Sequence, residues 1–399
     1  FLFLMKIKIN NIVYFWQGSS LFFLKKVKEK GNIIIMENIN CHQKISRDIL
    51  DKESVRLNLK NTHSITQQSI DDESEKLGYC DFVFSPSPGV TRSLLAENVS
   101  IDKILQTSYG LCSHQQVDIS LIESKRNKPL EVIFVGRVGM RKGIHLLLQY
   151  WVDAQIEGIL KVVGNVEEPI QAIIEPYRQI KNIQFIDFVS DIEEVYKTAD
   201  IFVLPSLEEG SPLVTYLALG AGLPCIVSPM GGEGVVTHNH DGFIIDAHDQ
   251  EGWVNALQSL ANSMALRQKQ SLAARESSNK FLWQKVGQQR AELLINKLKK
   301  RLGINTKLIS GKISNNKNYD IIFLEDHLVS VKDDISSTII DSSSYREIIS
   351  RLIKAEYELK KVKPSFKFSA YQYLLDKKIK TRNFRMKLKQ TLLAAVALL

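Results

Sequence analysis

No apolar run in the chain approaches the roughly 20 residues that a membrane-spanning helix requires. The opening segment Phe1–Met5 is apolar, but it is shorter than a leader core and no basic stretch precedes it. Cysteine is scarce. The four present, Cys41, Cys80, Cys112 and Cys225, lie far apart and form no C-x-x-C pair. That spacing points away from a disulfide scaffold and from a zinc site, and reads as free thiols in a reducing compartment. A Walker A loop and a G-x-G-x-x-G fingerprint are both missing, and no internal repeat is visible. The chain starts on Phe1 instead of Met, so a piece of a longer protein is expected. The apolar last nine residues, Thr391–Leu399, read as a helix end or a boundary, not as a membrane segment.

What is present suits a soluble globular protein: 44% hydrophobic and 24% charged residues over 399 positions, with room for two or three domains. The net charge of +8 is unevenly placed. From Arg301 to Leu399 there are 19 Lys and Arg against 10 Asp and Glu, whereas the remainder holds 33 against 34. The tail alone is basic, and the whole-chain charge says nothing about the core.

Between Leu130 and Ile245, short apolar runs alternate with helical patterns. The runs are Glu131–Val135, Ile159–Val163, Ile183–Ile186, Ile201–Leu204, Cys225–Val227 and Gly242–Ile245. They are rich in Val, Ile and Phe with little alternation, as expected of strands covered on both faces. Amphipathic stretches such as Gly143–Ile156 and Asp191–Thr198 separate them, so a parallel sheet flanked by helices is expected. Ligands of such sheets bind beyond the carboxyl ends of the strands. The first 120 residues repeat the pattern in shorter form. Strands are read at Ile12–Trp16, Asn32–Met36 and Asp81–Ser85, helices at Leu21–Lys30 and Val90–Glu97, and a polar helix-plus-loop segment over Cys41–Ser74. The polar segment Glu123–Pro129 reads as a linker. The expected domains are 1–120, 130–302, and a basic, mostly helical extension over 303–399.

Three motifs can carry chemistry. The first, Val135–Gly143, sits where a strand turns into a helix. Its glycines, Gly136 among them, allow a close backbone approach, and Arg137, Arg141 and Lys142 add positive charge. This suits a diphosphate at a helix N-terminus, and equally a solvated basic turn. The second runs from Leu204 to Ser228. A strand ends at Pro205, an acidic loop Glu208-Glu209-Gly210 follows, and a helix opens near Ser211 and Pro212. A carboxylate placed there can accept hydrogen bonds from sugar hydroxyls, or simply cap the helix. The third, Ser228–Phe243, contains Gly231 and Gly232 and the run Asn239-His240-Asp241-Gly242, which is turn chemistry more than a metal site built on His238, His240 and Asp241.

Taken in order, these motifs resemble the C-terminal domain of family 4 retaining glycosyltransferases, also called group 1, which have a two-domain B-type fold. The resemblance rests on Gly136-Arg137, Arg141-Lys142-Gly143, Pro205-Ser206, Glu209-Gly210, Gly222-Leu223-Pro224, Gly231-Gly232, Asp241-Gly242-Phe243 and the Phe281–Trp283 segment. It covers roughly Leu130–Leu294. More weakly, Cys80–Ser87 and Tyr109–Cys112 are similar to acceptor-domain segments of the family. The resemblance implies an α/β fold of two Rossmann-like domains facing a cleft, the first incomplete, with the basic extension appended. It further implies transfer of a sugar from a nucleotide-diphosphate sugar to an acceptor hydroxyl with retention of configuration, in polysaccharide or glycolipid biosynthesis.

On that basis Gly136, Arg137, Lys142, Glu209, Gly210, Ser211, Leu213 and Val214 are expected to bind the donor. Arg137 and Lys142 would steady the leaving diphosphate in place of a metal, and Glu209 and His42 are the catalytic candidates. No cofactor and no metal are expected. Two features depart from the family. A second glutamate, eight positions after Glu209, is replaced by Leu217, and the family's first strand and glycine-rich loop are not visible before Ile12. Those departures keep open a non-catalytic or regulatory subunit of the same family; a nucleotide-sugar epimerase is a further alternative. The expected partners are the donor and a glycan or lipid-linked acceptor, with no nucleic acid. The tail, with 13 Lys and Arg against 3 Asp and Glu from Arg351 onward and interleaved aromatics, suggests peripheral contact with an anionic membrane. The expected location is the cytoplasm, including the inner face of a membrane.

Overall fold

The computed structural model describes residues 11–60, 62–123, 129–187, 189, 191–302, 311–314, 320–324 and 328–331. By contact the chain groups into two units, one of residues 14–24 and 34–286 and the other of 1–13, 25–33 and 287–399. Every site residue discussed below belongs to the first of these.

The N-terminal half carries a four-stranded sheet, ordered β1 (Ile12–Trp16), β2 (Ile33–Glu37), β3 (Phe82–Ser85), β4 (Ile104–Gln106). β2, β3 and β4 run parallel, with Ile35 opposite Phe82 and Val83 opposite Ile104. Four helices accompany it: α1 (Leu21–Glu29), α2 (Gln43–Arg56), α3 (Gln67–Tyr79) and α4 (Pro88–Ala96). Polar side chains start three of them. His42 accepts from the Lys44 amide at α2, Thr66 and Ser69 form a capping box at α3, and Ser87 with Pro88 opens α4. The polar stretch after Cys41 thus resolves into two helices, and β4 is an addition that sequence periodicity did not reveal, being only three residues long.

After α5 (Ile119–Glu123) comes a six-stranded parallel sheet. Its strands are β5 (Glu131–Val135), β6 (Ile159–Val163), β7 (Ile183–Ile186), β8 (Ile201–Leu204), β9 (Cys225–Val227) and β10 (Gly242–Ile244), in spatial order β10-β9-β8-β5-β6-β7. The order reverses at β5, which lies between β6 and β8, so the motif loops after β5 and β8 are neighbours. Interspersed are α6 (Ile144–Ala154), α7 (Gln171–Ile174), α8 (Ile192–Thr198), α9 (Leu213–Gly220) and α10 (Pro229–Gly232), followed by α11 (Gln250–Asn262), α12 (Met264–Ser277) and α13 (Trp283–Leu302). Strands β8 and β9 are buried along their whole length, as continuous apolar runs require. The core is completed by Trp151 and Trp253, both essentially inaccessible, with Tyr150 stacked on Trp253 at a centroid distance of 6.0 Å.

In the extension, the described residues are strands that lie ahead of the helical pattern read from Tyr345. β11 (Gly311–Ser314), β12 (Asp320–Leu324) and β13 (Leu328–Val331) form an antiparallel sheet, with Ile321 opposite both Ile313 and Val331. The run Ile321–Leu324 has the β-branched and aromatic content of a strand, and short connections between the runs favour hairpins. The basic helical pattern from Tyr345 onward lies outside the described residues.

Candidate functional site

The loop after β5 folds back on the loop after β8. Gly143 makes this possible: its φ is +69°, and a Cβ there would come within 2.0 Å of the Pro205 carbonyl oxygen. Met140–Lys142 forms a single 3₁₀ turn ahead of α6, and the amide of Leu207 donates to the Arg141 carbonyl at 2.9 Å. The two motifs are therefore stitched backbone to backbone, which brings their charged side chains together.

Lys142 and Glu209 meet directly. Nζ lies 2.5 Å from Oε1, with 17% and 11% of the two side chains exposed. Beside them Arg141 donates from Nε to Glu208 Oε2 at 2.6 Å, lies 3.6 Å from Glu209 Oε2 through Nη2, and reaches Asn40 Oδ1 at 3.4 Å. Glu208 also accepts from the Ser46 hydroxyl of α2 at 2.9 Å. Burial raises the Glu208 carboxyl, while the Arg141 guanidinium opposes that shift. In the sequence Arg141 reads only as added charge and Glu208 only as part of an acidic loop. Here the two form the inner pair that backs the outer pair, Lys142 and Glu209.

Arg137 stands apart. Its side chain is 74% exposed, and its nearest ion-pair partner is Glu167 at 3.5 Å. Gly136, with φ +145°, leaves just enough space for the Lys142 stem, whose Cδ would lie 3.0 Å from an added Cβ. Ser211 is buried, and its hydroxyl shares a 2.7 Å hydrogen bond with the Tyr216 hydroxyl one turn on. Leu213 is partly exposed at the start of α9, and the Val214 carbonyl accepts from Tyr196 at 3.1 Å. Leu217, one turn further, is half-buried and lines a small pocket with His114, Glu193, Tyr196 and Lys197.

The N-terminal half closes on this loop from the other side. Gly210 has no room for a side chain, because a Cβ would sit 1.7 Å from the Ile39 carbonyl oxygen. The Gly210 carbonyl accepts from Ser87 at 2.5 Å, and the Glu209 carbonyl accepts from the Cys41 thiol at 3.4 Å. Burial pushes that thiol up to about 12, so Cys41 packs as a neutral group. His42, a catalytic candidate on sequence grounds, is fully buried as the cap of α2. Its Nδ1 accepts from the Lys44 amide at 3.3 Å and its Nε2 lies 3.2 Å from the Ser74 hydroxyl. In the third motif, His238 Nδ1 accepts from the Ile244 amide and Asp241 Oδ1 from the Thr237 amide, which is turn bonding. No helix among the described residues is long and apolar enough to cross a membrane.

Residues 118–277 match the family described as glycosyl transferases group 1. Over 87 residues the chain is 39% identical to a UDP-Gal:alpha-D-GlcNAc-diphosphoundecaprenol alpha-1,3-galactosyltransferase of Escherichia coli, covering 22% of each chain. Over 218 residues it is 27% identical to the sulfoquinovosyl transferase SQD2 of Arabidopsis thaliana, covering 51% of this chain and 42% of that one. The chain thus spans less than half the length of these two relatives. Among solved structures, Anabaena HepE in complex with UDP aligns with a TM-score of 0.58 at 15% identity, over 72% of this chain and 79% of that one. At that identity the likeness is one of fold, and it agrees with the paired α/β halves seen here.

Proposed function

From the match of residues 118–277 to the group 1 glycosyl transferases, we propose that the chain transfers a sugar from a nucleotide-diphosphate sugar to an acceptor hydroxyl, with retention of configuration and without a metal ion. The observation that carries this reading is the Lys142–Glu209 pair at the mouth of α9. An ammonium and a carboxylate held 2.5 Å apart can each exchange partner: a diphosphate oxygen for Glu209 at Lys142, and sugar hydroxyls for Lys142 at Glu209. Arg137, exposed and only weakly paired, can turn onto the same diphosphate. In the reaction the bond from the anomeric carbon to the diphosphate oxygen breaks, and one to the acceptor oxygen forms. The acceptor proton ends on the leaving diphosphate. Fixed cations beside that oxygen act mainly as its charge develops, which lowers the barrier without a metal.

The Escherichia coli relative is named for a polyprenyl-diphosphate-linked sugar acceptor. This supports a glycan or lipid-linked acceptor for the present chain. The direct test is hydrolysis or transfer from a panel of UDP- and GDP-sugars, with and without EDTA, together with UDP and GDP titrations of two variants. Arg137→Ala should weaken nucleotide binding by tenfold or more at unchanged melting temperature, since a charged hydrogen bond contributes about 1.5–3 kcal/mol. Lys142→Ala should weaken binding as well, and should also cost stability because Glu209 loses its partner. Unchanged affinity for both nucleotides in both variants would remove the assignment.

A further inference from the structure

α2 is a strongly polar helix, yet one side of it is buried. Ser46, Leu50 and Glu53 are spaced four and three residues apart and so share a face, and with Ser54 they make up its buried set. Leu50 packs into the core formed largely by the C-terminal half. The two polar residues at either end of this stripe both reach across to that half. Ser46 donates to Glu208, the neighbour of Glu209. Glu53 receives two imidazoles: His145 Nε2 from the first turn of α6 lies 2.7 Å from Oε1, and His248 Nε2 from the loop before α11 lies 2.9 Å from Oε2. None of these contacts is used in the reaction proposed above.

We propose that α2 is a positioning helix for the Glu208–Glu209 loop, clamped to the C-terminal half by Glu53 through His145 and His248, and loosened as the buried His145 imidazole takes up a proton. Glu53 is thereby a positioning residue. It acts through α2 and Ser46 on Glu208, which shares Arg141 with Glu209. The relevance to donor handling rests on the reading of Glu209 given above; the clamp itself does not.

The proton dependence follows from the surroundings of His145. The residue is buried, and its Nδ1 makes no hydrogen bond among the described residues. A proton added there would be a buried donor with nothing to receive it, which is costly. Burial accordingly lowers the affinity of His145 for a proton, despite the attraction of Glu53, with Arg56 and His248 adding to the lowering. Burial alone would raise the Glu53 carboxyl, but hydrogen bonds from His145, Arg56 and His248 outweigh it and hold the group well below the usual carboxylate range. The other charged or titratable groups facing the cluster are Tyr150 from α6, whose hydroxyl is pushed up to about 12 chiefly by burial, and Asp246 and Asp249 from the loop carrying His248. Both shifts have the same sign for the clamp. The His145 contribution is complete above the ordinary histidine value of 6.5 and declines as pH falls below it. The Glu53 contribution is complete above the ordinary glutamate value of 4.5 and declines below that. Acid therefore weakens the hold of α2, and between these two values the imidazole dominates.

The test is amide hydrogen exchange of the full chain between about pH 7.5 and 5, corrected for the intrinsic pH dependence of exchange. In the wild type, protection of residues 43–56 and of the 207–210 loop should fall together by several-fold toward pH 5. His145→Gln keeps a neutral donor that cannot be charged, and should retain protection while flattening its pH dependence. Ser46→Ala should leave 43–56 protected and expose 207–210 alone. pH-independent protection of α2 in the wild type, an unchanged pH slope in His145→Gln, or a 207–210 loop indifferent to Ser46→Ala would each overturn the proposal. If His145→Gln does not fold, Glu53→Gln is measured in its place, and undiminished protection of residues 43–56 at pH 7.5 overturns the clamp. UDP and GDP titrations on the same samples separate the two readings: absence of nucleotide binding in the wild type removes the assigned function, whereas the exchange data decide the clamp.

Discussion

Helices α6 and α2 lie in the same contact unit and are held by opposite means. α6 buries Ile144, Leu146, Leu147, Leu148, Tyr150, Trp151 and Ala154 along with His145, whereas α2 buries Ser46, Leu50, Glu53 and Ser54. Apolar burial is non-directional and grows with area, so α6 stays fixed as long as water is excluded. The hold on α2 adds to the single buried Leu50 a few directional bonds to charged groups, each of which water can replace at modest net cost. The contrast teaches that the two helices differ in how they are held: one by extended apolar area, the other by polar bonds that bear on the Glu208–Glu209 loop.

The largest effect that can break this comparison is expected in α6. Trp151→Ala should cost about 3–5 kcal/mol of stability in chemical or thermal unfolding, because a large, fully buried side chain leaves a cavity. The Trp151 Nε1 makes no hydrogen bond among the described residues, so the loss would be packing alone. A cost under about 1 kcal/mol would show that α6 is not held by extended apolar area.

An intermediate effect is expected at Leu217, where an apolar residue occupies the wall of a half-buried pocket beside Glu193 and Lys197. If the missing carboxylate has only weakened recognition of a ribose, Leu217→Glu should tighten UDP or GDP binding by about tenfold or more, corresponding to ~1.5–3 kcal/mol for a charged acceptor. Thermal shifts with and without nucleotide read this out. Lower melting without tighter binding would mean that the pocket has been rebuilt around apolar contact and that the carboxylate is merely buried without a partner.

The smallest effect concerns the tail, whose basic and aromatic content from Arg351 onward suits contact with an anionic lipid surface. Full-length chain should sediment with anionic liposomes more than a chain ending near Leu302, by a margin that shrinks as salt is raised, at about 1 kcal/mol per basic residue near the surface. Equal sedimentation of the two, or binding indifferent to salt, would remove the tail from any account of the acceptor side.

Much of the fold was legible residue by residue. Five of the six strands in the larger sheet begin and end at the positions given by their apolar runs, and Gly242–Ile244 differs by one residue. Such runs are local signals, because a strand covered on both faces needs apolar side chains at every position. β4 escaped notice because three residues carry no usable period, and the strands of the extension because a brief apolar patch in polar surroundings does not reveal its partners.

The sequence by itself determined the strands of the larger sheet and the turn glycines at Gly136 and Gly143, whereas the contact of Lys142 with Glu209 follows from the strand order, which makes the loops after β5 and β8 adjoin. Only the tertiary structure decided which charges face one another. Glu208 finds Ser46 across 162 positions, and Glu53 finds His145 across 92 and His248 across 195. It also decided that His42 caps a helix and that Arg141 turns inward while Arg137 faces solvent. The physical reason is that burial of apolar surface is additive and can be read from spacing along the chain. The partner of a charge is set by direction and distance in three dimensions, which spacing along the chain does not record.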